Sequence, residues 1–240
     1  MTGAEGAARS RGAGQPEGAG RLEGSGRSEI AGRSEVARPS DVAGAGAGLE
    51  SEERGTDWRQ LDSVVVLATP WFDVRQDAVI RPDGAADVYH HVKTPGSVTV
   101  LPVAADGRVL LTRQWIYTHG GVQWRLPAGT IEPYDERPVA AARRELAEET
   151  GLRAARWRAI GAVNGADSLT NHVDHVFVAE ELTQGEAALE GGEADMTLCW
   201  LSFGEALELV WSGQIRHAGS AYALLSFGHV REVFLESRAG

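Results

Sequence analysis

From Trp58 onward, short β-rich runs broken by turn residues lead into one helical stretch and then into further strands. Such alternation buries its apolar faces only as stacked layers of sheet and helix, which predicts an α/β or α+β sandwich. Residues 63–69, 72–80 and 87–93 are β-rich and are separated by Pro70 and by Pro82-Asp83-Gly84. They predict a small antiparallel sheet within residues 56–96. Residues 97–103 and 108–115 flank Asp106-Gly107, the pattern of a hairpin. A strand over 122–126 then runs into Pro127-Ala128-Gly129. Pro138 in a first turn and Gly151 just past an end predict a helix over 138–150. Residues 157–163, 173–180 and 196–201 read as strands, and 204–211 and 220–235 as helices.

Residues 1–55 are of another kind. They hold no aromatic residue and few branched aliphatics, so they have little to bury and read as a disordered tail. A loose six-residue repeat (GRLEGS, GRSEIA, GRSEVA, RPSDVA) is too short and too polar to stack as a solenoid. The net charge is −11, of which the tail, with seven Arg and nine Asp or Glu, carries −2. An acidic body excludes nonspecific nucleic-acid binding, which rests on basic surface. It still admits a phosphorylated substrate where metal ions supply positive charge. The single cysteine, Cys199, excludes an internal disulfide and a Cys-based zinc site. No run of about 18 apolar residues and no secretory pattern is present, so a cytoplasmic protein without a membrane partner is expected.

The chemistry concentrates between Gly129 and Leu152, in GTIEPYDERPVAAARRELAEETGL. On a helix, Glu145, Glu148 and Glu149 stand at i, i+3 and i+4, on one face and within reach of one another. Like charges so placed repel, and a divalent cation relieves the repulsion. Mg²⁺ takes hard oxygen ligands and usually keeps waters and substrate phosphates in its shell. Taken alone, such a helix is more often a solvated face on which Arg143 and Arg144 pair with the glutamates.

The whole stretch resembles the Nudix box, G-x5-E-x7-R-E-U-x-E-E-x-G-U with U aliphatic. Arg144, Glu145, Leu146, Glu148, Glu149, Gly151 and Leu152 match, and Glu136 lies at the right distance before Arg144. Gly129 is one residue too far from Glu136, a loop insertion of a kind that costs little; Asp135 is the other residue able to take the acidic position. Further segments resemble the ADP-ribose pyrophosphatase, or nucleotide-sugar hydrolase, branch of the family. These are RQW at 113–115, WRLPAG at 124–129, SLTNHVDHVFVA at 168–179, GEADMTLCWL at 192–201 and GQI at 213–215. The resemblance implies a Nudix α/β/α sandwich with a mixed sheet over 97–240. It also implies Mg²⁺-dependent hydrolysis of a pyrophosphate bond in ADP-ribose or a related nucleotide sugar, with Mn²⁺ as the alternative metal.

By the same resemblance, Glu145, Glu148, Glu149 and the Ala128 carbonyl oxygen would hold metal, and Arg144 would pair with Glu136. An acidic loop after the box supplies the general base in this branch, which makes Glu193 the first candidate and Asp195 the second. Both also stand where they would simply open the strand at Met196. Trp71 and Phe72 are candidates for stacking the nucleotide base, against a packing role. Arg75, Arg113 and Arg125 are the remaining substrate-binding candidates. Relatives often carry Arg where this chain has Ile116 and Glu where it has Arg125, which implies a second moiety other than plain ribose. A homodimer with crossed N-terminal sheets is the family expectation. His172, Asp174 and His175 do not share a strand face, so pocket-rim histidines are expected there rather than a metal site. A silent nucleotide sensor and an oxidised-nucleotide hydrolase are the competing functions on this fold. A protein that acts through its tail is the third.

Overall fold

The computed structural model describes residues 57–189 and 194–239, with side chains through 229; the expected tail lies outside them. Arg81 to Ala85 form a tight turn in which Gly84 takes a φ of 82°, a region glycine enters without a Cβ penalty. That turn joins β2 (Asp73–Ile80) to β3 (Ala86–Lys93), and β1 (Arg59–Ala68) lies against β2. The three form an antiparallel meander in chain order. β1 begins four residues ahead of its expected start. Tyr89 and Val92 of β3 tie this sheet to the body through the carbonyls of Ser168 and Leu169, at 2.7 and 2.9 Å.

The body holds β4 (Ser97–Pro102), β5 (Val109–Ile116), β6 (Gly121–Arg125), β7 (Ala128–Thr130), α1 (Pro138–Thr150), β8 (Leu152–Val163), β9 (Asp174–Gln184), β10 (Thr197–Leu201), α2 (Phe203–Trp211) and α3 (Ala218–Ala239). Two sheets result, ordered β7-β4-β9-β8 and β10-β5-β6. The first is mixed, because β4 runs parallel to β9 while its other neighbours are antiparallel.

One sequence expectation needs correction here. Asp106-Gly107 does make a tight turn, with the Gly107 N–H donating to the Ala104 carbonyl at 2.9 Å. β4 and β5 nevertheless share only a single bridge, Val103 to Val109. Both edges of β4 are already taken by β7 and β9, so β5 leaves for the other sheet. β7 is an addition that sequence reading did not foresee, and β8 starts at Leu152 rather than at 157.

Alternation along β4 builds the core. Val98 and Val100 face a cluster with Ala141, Ala142 and Leu146 of α1. Leu101 faces the opposite cluster, with Leu126, Val176, Leu224 and Phe227. Each buried aliphatic side chain contributes about 1.5–3 kcal/mol against exposure. The mixed sheet thereby lies between α1 on one side and α3 on the other, an α/β/α sandwich. Ser202 caps α2 reciprocally with Glu205. Among the described residues, no helix is long and apolar enough to cross a membrane.

Candidate active site

α1 carries the carboxylates. Pro138 starts it and Gly151, at φ 71°, stops it, its N–H donating to the Ala147 carbonyl at 2.9 Å. Ala141, Ala142 and Leu146 fix which face goes inward. Glu145 and Glu149, at i and i+4, then lie at the margin of that face, only 8 % and 4 % exposed.

Both are folded onto the Ala128-Gly129 segment of β7. The Ala128 N–H donates to Glu149 Oε2 at 3.1 Å. The Glu145 carboxylate sits against the Gly129 Cα, in the space that a Cβ would fill. Glycine is needed there for room.

Arg144 organises the rest. It donates to Glu145 Oε1 at 2.8 Å, Glu148 Oε2 at 3.0 Å, the Thr130 carbonyl at 2.8 Å and Asp135 Oδ2 at 3.0 Å. Burial alone would lower its pKa, but the bonds to Asp135, Glu145 and Glu148 outweigh that and raise it. The expected partner, Glu136, is exposed and takes no part. Asp135 replaces it because the turn from Glu132 aims its side chain inward, where it also accepts from the Glu132 N–H at 2.9 Å. Counted to Asp135, the spacing from Gly129 is the five residues of the box. The extra residue therefore falls between the acid and the helix. Asp135→Asn should cost about 2 kcal/mol in denaturant unfolding, the range for a charge-assisted bond, and Glu136→Gln less than about 0.5 kcal/mol. Equal costs would reject the reassignment.

The donor set suits a divalent cation: nearly buried carboxylates, hard oxygens only, and a backbone segment with no side chain at 129. Among the described residues, no three His, Cys, Asp or Glu side chains are arranged as they lie to hold a metal; Arg144 reaches both Glu145 and Glu148. Of the base candidates, Glu193 lies outside the described residues. Asp195 precedes β10 and accepts from the Trp115 N–H at 2.8 Å.

Arg113 lies over the Trp124 ring at 5.8 Å. Arg125 is half-buried on β6, with Glu149 and Asp174 as electrostatic neighbours; burial draws its pKa down and those carboxylates oppose this. Trp71, 74 % exposed, and Phe72 line a different cleft of about 380 Å³ with Lys93 and Thr94. Arg75 stays within the first sheet, bonded to Ser63 Oγ at 3.1 Å. Among the described residues, then, Arg144, the three glutamates, Ala128 and Arg125 form one neighbourhood, while Trp71, Phe72 and Arg75 sit on the small sheet.

Sequence reading passed over His217 and Arg216, and it weighed Asp174 only as part of a histidine pattern at the pocket rim. Asp174 is buried and accepts from Thr99 Oγ1 at 2.7 Å. It rests against Gly219 at the start of α3, where a Cβ would collide with it. His217 Nε2 lies 4.0 Å from Asp174 Oδ2. Burial, with Arg125 and His172 adding repulsion, pushes the His217 pKa down to about 4. His172 bonds to Ser97 Oγ at 2.9 Å. The RH pair directly after GQI at 213–215 was the available signal.

The model of the NUDIX domain matches residues 93–220, and that of the nucleoside diphosphate sugar hydrolase N-terminal domain matches 58–92. The chain is 28% identical over 183 residues to an ADP-ribose pyrophosphatase of Mycobacterium tuberculosis, covering 76% of this chain and 88% of that one. It is 33% identical over 153 residues to an ADP-ribose pyrophosphatase of Bacillus subtilis, covering 63% and 82%. A crystal structure of an ADP compounds hydrolase superposes with a TM-score of 0.64 at 21% identity, over 78% of this chain and 98% of that one.

Proposed function

The chain belongs to the Nudix family, and from that premise we propose that it cleaves the pyrophosphate bond of ADP-ribose or a related nucleotide sugar with Mg²⁺ as its metal. Hydrolysis of nucleoside-diphosphate-linked substrates and a need for a divalent metal come with membership. The observation that carries the reading is the pair Glu145 and Glu149, nearly buried and folded onto Ala128-Gly129 by the box helix.

Glu145 and Glu149 would hold the metal, joined by Glu148 and the Ala128 carbonyl oxygen. When bound, it supplies a more acidic water and neutralises charge on the leaving phosphate. The protein does the remainder. Arg144 holds the carboxylates and the 132–135 turn in one arrangement. Glu193 is our general base and Asp195 the reserve. Arg113 and Arg125 would face the substrate's anionic and sugar portions, and Trp71 would stack the base with Arg75 behind it. Ile116 and Arg125 favour a second moiety other than plain ribose.

We place the protein in the cytoplasm, without nucleic-acid partners, as a homodimer. The dimer is supported by β1, whose Val64, Val65, Val66 and Leu67 are each about half exposed. A strand so apolar and so uncovered calls for a partner. Light scattering should give twice the chain mass of 25.6 kDa; a single mass would remove the dimer from the proposal.

The test of function is Mg²⁺-dependent turnover across nucleoside-diphosphate sugars, dinucleotides and NADH. Cleavage at the pyrophosphate of one of them is expected. Binding without turnover would transfer the reading to a silent sensor.

A further inference from the structure

Beside the carboxylates, the ends of β5 and β6 and the segment before α3 enclose a cavity of about 290 Å³. Ile116, His119, Gln123, Arg125, Arg216 and His217 line it. It continues into a groove that shares His119, Gln123 and Arg216 and adds Arg113. No acidic side chain among the described residues lines either. Among the described residues, Arg113, Arg125 and Arg216 make no side-chain ion pair, while five other arginines (Arg75, Arg81, Arg108, Arg144 and Arg156) do. Arg216 uses only Nε, bonded to the Gly213 carbonyl at 3.1 Å, which leaves its fork of terminal N–H donors to the cavity. Arg125 and Arg216 in the cavity, with Arg113 in the adjoining groove, repel one another; Glu149 and Asp174 offset this only behind Arg125, and an anion in the cavity would join the arginines.

Burial, with repulsion from Arg125 and His172 added to it, draws the pKa of His217 in the lining down to about 4.

We infer that this cavity binds an acidic group, carboxylate or phosphate, carried by the substrate on the moiety beyond its diphosphate. The inference rests on the hydrolase reading above and narrows its substrate class to acidic nucleotide sugars. Arg125 joins the two regions, since Glu149 is its electrostatic neighbour: the pocket adjoins the end at which the diphosphate reacts. Its volume suits one sugar-sized moiety rather than a whole nucleotide, at the low end of ligand pockets. Arginine forks match carboxylate and phosphate oxygens two at a time.

The experiment compares matched pairs on the full chain with Mg²⁺: a nucleoside-diphosphate glucose against its glucuronate, and ADP-ribose against ADP-ribose bearing a further phosphate on the terminal ribose. The acidic member should be favoured about tenfold or more in kcat/KM, and Arg216→Gln should cut that ratio by about tenfold. Arg216 is exposed, so the fold is expected to survive. Preference within only one pair names the acid as carboxylate or phosphate. No preference, or a preference that Arg216→Gln leaves intact, overturns the proposal. If no nucleotide is turned over, the hydrolase reading fails by itself. Calorimetry with glucuronate 1-phosphate and glucose 1-phosphate on both proteins then decides the pocket, and equal binding overturns it.

Discussion

Glu149→Gln should melt at the wild-type temperature and lose about three orders of magnitude in kcat on the preferred nucleotide sugar. The amide keeps an oxygen to accept from the Ala128 N–H, the contact that docks Glu149 on β7. What it loses is the negative charge proposed to hold metal. A thousandfold loss corresponds to about 4 kcal/mol of transition-state stabilisation, within what metal catalysis contributes. Steady-state rates at saturating Mg²⁺ beside a thermal melt measure both halves. A variant within tenfold of wild type would move the metal site off this helix.

Gly129→Ala comes second in expected effect. The new methyl group falls on the Glu145 carboxylate, so either the carboxylate leaves its place or β7 and α1 part. Overpacking of this kind costs about 1–3 kcal/mol in stability. The catalytic cost is expected to be larger, about a hundredfold in kcat, since a displacement near 1 Å at a reacting site has that consequence. Gly165→Ala is the control, with nothing within 4 Å of the added carbon, and should behave as wild type in the same assay. Full activity in Gly129→Ala would mean that the Glu145 position is irrelevant to the chemistry.

What could be read from residues alone was governed by local signals. α1 was placed correctly at both ends because Pro138 and Gly151 act within one turn of where they stand. The glutamate spacing followed from that register. The turn at Asp106-Gly107 was also correct, yet the pairing inferred from it was not: the partners of β4 are the distant strands β7 and β9, the latter paired as Ser97 with Asp174, and they outcompete the neighbour in sequence. Three-residue β7 has too little pattern to detect. Asp135 over Glu136 depended on which way a loop turned. Asp174 looked like part of a surface HxDH pattern, and only the packing of α3 with Gly219 against it makes it a buried acid.

The parallel pairing of β4 with β9 bears on when the protein becomes active. Thr99 and Asp174, joined across that pair, are 75 residues apart. Bringing such distant segments together costs about 4 kcal/mol of chain entropy before any contact returns it, and folding slows as that separation grows. The glutamate helix lies inside the loop being closed. A chain still emerging from the ribosome thus carries every carboxylate of the box and no site, and stays inert until β9 has docked beside β4.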